Sequence, residues 1–152
     1  ARWLKKHFGL DWRGGPSSRY PEDRPNGWPF VEPGSVAAGY RETGRDDPDL
    51  SGLKLKAAHS GPAAVLSPMA GEVNVIRETV LGLRVQVTNR KSEASIIFSG
   101  LKRHSVSDGE AVQAGDQLGL LASGKKLFYH YFDEGELTNP RPTLGGVSPL
   151  FD

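Results

Sequence analysis

Few residues in this chain carry side chains suited to chemistry, and their spacing brings few of them together. The four histidines are His7, His59, His104 and His130. They form no His-x-His, His-x-x-x-His or His-Glu-x-x-His pattern, so no two share a strand face or helix turn in the way a zinc site needs. There is no cysteine, which excludes disulfides, thiolate metal sites and a cysteine nucleophile. Asp46, Asp47 and Asp49 cluster, but in a Gly- and Pro-containing loop around Gly44 and Pro48, where a solvated turn is expected. No Gly-x-Ser-x-Gly elbow or phosphate-binding loop is present. His104, in Lys102-Arg103-His104, reads as a loop residue and His59 as a turn residue. His130, between Tyr129 and Tyr131, reads as a partly exposed sheet residue rather than a ligand.

The elements that would position these groups are strands. Leu53, Leu55 and Ala57 alternate with Lys54 and Lys56, one apolar and one polar face at period two. Ala64 to Ser67 is a short apolar strand ending at Pro68. Val73 and Val75 alternate with Asn74 and Ile76, and Leu83, Val85 and Val87 alternate with Arg84, Gln86 and Thr88. Asn89 to Ser92 is a polar hairpin turn, Ser95 to Phe98 the returning strand. Leu118 to Ala122 and Leu127 to Phe132 complete the set. Strands at about ten-residue spacing with turn signals between them indicate an all-β domain. Gly71, Gly109 and Gly115 stand at strand-to-turn junctions, where positive φ or close backbone approach is needed.

Composition agrees. The chain has 152 residues, enough for one domain and an arm, and Gly plus Pro accounts for about a fifth of it. Nineteen Lys and Arg against 18 Asp and Glu leave a formal charge of +1, which excludes polyanion binding driven by bulk charge and leaves only a local patch open; no nucleic-acid partner is expected. No apolar run approaches the roughly 20 residues that span a bilayer, and residues 1–14 hold no apolar core of an export signal. Residues 1–49 contain all three tryptophans and five prolines before Ser35, without sustained periodicity. They are expected to form an extended, largely irregular arm, with the domain at 50–152. Trp3, Phe8, Trp12 and Trp28 are the candidate docking residues of that arm, against another protein or a membrane surface.

Residues 52–144 resemble the lysostaphin-type (LytM) zinc metallopeptidase domain, a peptidoglycan endopeptidase. Four blocks carry the resemblance: Gly52 to Ala58 with Gly61, Val65 and Ser67-Pro68-Met69-Ala70-Gly71-Glu72-Val73; Gly82 to Val87; Phe98-Ser99-Gly100-Leu101 with Val106, Gly109, Val112, Gly115, Leu118 and Gly119; and Leu127-Phe128-Tyr129 with Gly135, Asn139-Pro140 and Leu144. The resemblance implies an antiparallel β-sandwich or barrel and a zinc held by two His and one Asp, with two further His serving the water. Carried over by position, the first metal His falls on Leu50 and the metal Asp on Lys54. The catalytic His falls on Gly100, and the final His-x-His pair on Lys126 and Phe128. A register shifted by two residues instead places that pair on Phe128 and His130. The unshifted register needs no gap up to Gly135 and keeps Leu127, Tyr129 and Tyr131 facing the core.

In either register the ligand set is broken, and an ammonium at Lys54 repels a divalent cation. The resemblance therefore implies a non-enzymatic, LytM-like domain without cofactor. It would serve as a protein-binding or scaffold module of the bacterial envelope, periplasmic or otherwise extracytoplasmic, with a cell-wall amidase as one kind of partner. The vacated groove candidates are Leu50, Lys54, Gly100, Lys126, Phe128 and His130. The alternative is an accessory structural subunit of a larger membrane protein complex, docked through the N-terminal arm. A biotinyl or lipoyl carrier shares the Ser67 to Gly71 turn, but Lys125 and Lys126 lie too far beyond it and lack the carrier's flanking residues.

Overall fold

The computed structural model describes residues 23–31, 33–38, 52–58, 61–77, 79 and 81–144. In chain order the strands are β1 (Gly34–Ala38), β2 (Leu53–Ala57), β3 (Ala63–Leu66), β4 (Gly71–Ile76), β5 (Leu83–Asn89), β6 (Ala94–Leu101), β7 (Arg103–His104), β8 (Ala111–Val112), β9 (Gln117–Leu121), β10 (Leu127–Asp133) and β11 (Glu136–Thr138). A single 3-10 turn, Arg141–Thr143, follows. The strands expected from alternation are all present, within two or three residues at their ends. The short β7, β8 and β11 had no periodicity long enough to announce them, and His104 sits on β7 rather than in a loop.

Among the described residues two antiparallel sheets form. The larger has the order β1-β2-β10-β6-β5-β4-β8, with β11 also paired to β10, and the smaller is β3-β9-β7. Their inner faces meet in one core. Leu53, Leu55, Val73, Val85, Val87, Ile96, Phe98, Leu127 and Tyr129 of the large sheet join Ala63, Val65, Leu118 and Leu121 of the small one. In the large sheet these are the residues whose period-two spacing places them on one side of each strand. Phe98 and Tyr129, cross-strand neighbours on β6 and β10, stack with centroids 4.6 Å apart.

Within the stretch expected as an arm, Gly34–Ala38 forms β1 and pairs with β2 at the end of the large sheet. One expectation is corrected here. Trp28, expected to dock elsewhere, is 1 % exposed and packs edge-on against Phe30, itself fully buried. The Pro-rich stretch is held by backbone bonds that a Pro-rich chain still offers. Asn26 N–H donates to Pro68 O (3.1 Å), Gly27 N–H to Thr143 O (2.7 Å), and Pro29 O and Pro33 O accept from Leu66 N–H (2.6 Å) and Ala58 N–H (2.8 Å). Arg24 pairs with Asp133 at 3.3 Å. Trp3, Phe8 and Trp12 lie outside the described residues.

Candidate functional site

The large sheet has a second face, opposite the core, and the candidate groove lies on it. Lys54 is placed there by the alternation of β2, and Phe128 by that of β10. Register sets Phe128 opposite Lys54 on one side and opposite Ser99 of β6 on the other. The Lys54 ammonium lies 5.2 Å from the centroid of the Phe128 ring, a cation–π contact.

Gly100 closes this corner. Its φ of +94° ends the regular run of β6, and a Cβ there would lie 3.4 Å from Lys126 O and 3.7 Å from Phe128 Cδ2. Lys54, Gly100, Lys126 and Phe128 are thus brought together. His130 lies one pair further along β10, beneath Gly52, where a Cβ would stand 2.9 Å from the imidazole Nε2. Its 4 % exposure corrects the expectation of a partly exposed side chain. Leu50 lies outside the described residues.

The charge of this end of the sheet is one-sided. The segments 53–57 and 122–130 hold Lys54, Lys56, Lys125 and Lys126 and no acidic residue. A cleft of about 290 Å3 at the close of β2 is lined by Lys56, Ala57, Gly61, Ala63, Leu121 and Lys125, among others. Sequence reasoning did not single out Lys56 and Lys125. The signal available was the period-two spacing that sets Lys56 on the same face as Lys54. The Ser99 hydroxyl, also on the groove side, is buried with no hydrogen-bond partner among the described residues.

Phe128, not His130, is opposed to Lys54, so an aromatic ring and an ammonium face each other across β2 and β10. Neither side chain is a zinc ligand. Among the described residues no three His, Cys, Asp or Glu converge in a way that could hold a metal.

No family model and no curated protein sequence matches the chain. Solved structures do. A chain of the SpoIIQ–SpoIIIAH pore-forming complex superposes with a TM-score of 0.64 at 21% identity, covering 84% of this chain and 94% of that one. The antimicrobial peptidase lysostaphin of Staphylococcus simulans matches with a TM-score of 0.59 at 15% identity over 73% of this chain and 50% of its own. A zinc-containing peptidase from Vibrio cholerae matches with a TM-score of 0.59 at 18% identity, over 76% of this chain and 38% of its own. The chain has the lysostaphin-type (LytM) fold.

Proposed function

We propose that this LytM-fold domain is non-catalytic and binds another protein through the face formed by Lys54, Gly100, Lys126 and Phe128, with His130 beneath it and Leu50 as a further candidate outside the described residues. The observation that carries this reading is the Lys54–Phe128 pair, standing 5.2 Å apart at the opposed positions of β2 and β10. A lysine opposed to a phenylalanine cannot polarise a scissile carbonyl or ionise a water, since neither side chain holds a Lewis acid or accepts a proton near neutrality. An ammonium beside an aromatic ring on a basic, partly apolar face is suited instead to a protein surface.

The setting proposed is the bacterial envelope, on the extracytoplasmic side, with the domain acting as a regulator of cell-wall hydrolases such as an amidase. A second reading is favoured by one specific observation. A chain from a pore-forming complex is matched over 94% of its length with a TM-score of 0.64. On that reading the domain is an accessory subunit of a membrane assembly, docked in part through Trp3, Phe8 and Trp12.

The test is zinc content of the purified chain at neutral pH, with thermal melts in added zinc and in EDTA. Absence of bound zinc and an unchanged melting temperature are expected. Stoichiometric zinc, or a melting temperature that rises with zinc, refutes the non-catalytic reading. Capture of envelope proteins by the chain, compared with a Phe128→Glu variant, then tests the binding face.

A further inference from the structure

We draw no further inference here: the strongest candidate, the outer face of the large sheet around the buried Ser99 hydroxyl, flanked in register by Phe128 and Arg84, belongs to the site already described, and nothing in the structure shows what covers it.

Discussion

Gly71 and Gly109 both sit where a strand meets a turn, yet the structure requires glycine at each for a different reason, and the difference is measurable. At Gly71 the backbone is ordinary strand, but a Cβ would lie 2.5 Å from Thr88 O and 2.8 Å from both Thr88 C and Val87 Cγ1. Two of these three atoms are backbone of the neighbouring strand, so relief demands that β4 and β5 part where Glu72 pairs with Thr88. At Gly109 the surroundings are empty within 4 Å, and the constraint is φ = +86° alone. Overpacking of this kind costs about 1–3 kcal/mol, against which the stiffer unfolded chain of alanine returns about 0.4–1 kcal/mol. Gly71→Ala is therefore expected to destabilise by about 1–3 kcal/mol and to loosen the β4–β5 ladder. Gly109→Ala is expected to lose about 1 kcal/mol to left-handed strain. Asparagine separates the two mechanisms, because it tolerates left-handed backbone but is larger than alanine. Gly109→Asn should recover much of the loss, and Gly71→Asn should be worse than Gly71→Ala. Urea unfolding of the four variants, with the slope checked for constancy, reads these differences directly. If alanine is neutral at position 71, or asparagine rescues it, the close-approach argument is wrong.

Val85→Asp places a carboxylate in the fully buried centre of β5, between Val75 and Phe98. It loses about 1.5–3 kcal/mol of burial and adds about 2–7 kcal/mol for an unsatisfied polar group, enough to unfold a domain of ordinary stability, as circular dichroism will show. Lys54→Ala removes only a surface cation–π contact and should lower stability by no more than about 1 kcal/mol in the same melts. Trp28→Ala should cost about 3–5 kcal/mol in urea unfolding because Trp28 fills the core; a neutral result would return it to the role of a docking residue. Stability should also fall at high pH. Burial raises the phenol of Tyr129 above its usual value of 10, and burial with the nearby Asp133 carboxylate raises that of Tyr131. The folded chain then holds protons that the unfolded chain releases above about pH 10, so stability is fully present below that pH and declines above it. Melting temperatures that stay flat from pH 9 to 12, or Tyr129→Phe leaving the decline unchanged, would contradict this.

Much of the fold was legible because strands such as β2 and β5 are buried on one face and only partly on the other. Leu83, Val85 and Val87 against Arg84, Gln86 and Thr88 is the pattern that such an environment selects. The reading failed where local pattern carries no information. Gly34–Ala38 is built of small residues, so β1 shows no alternation and is fixed by its pairing with β2. Trp28 and Phe30 resemble an exposed aromatic arm because prolines break the chain around them. They are buried because Asn26, Gly27, Pro29 and Pro33 tie that segment to Pro68, Thr143, Leu66 and Ala58, contacts made over distances of sequence that no periodicity reveals. His130 shows the same limit for a single residue: alternation placed it on the groove face, while its burial beneath Gly52 depends on how β2 meets β10.

The residues of the site were legible in the sequence, but their geometry was not. Sequence alone left two registers for β10, because either Phe128 or His130 can occupy the last position of a His-x-His pair. Pairing shows which of the two faces Lys54. Strands shift register in steps that keep side chains on their face only when they move by two, so both alternatives put the right face outward and hydrophobicity cannot separate them. The neighbour across the ladder can, and for Phe128 it is Lys54. That pairing also makes the two residues compatible neighbours. A lysine opposed to a histidine would depress the imidazole's affinity for a proton, and a phenylalanine opposed to an aspartate would leave a carboxylate against a ring face that repels it. Lysine over phenylalanine meets neither penalty, and the 5.2 Å from the Lys54 ammonium to the Phe128 ring centroid is the contact that results.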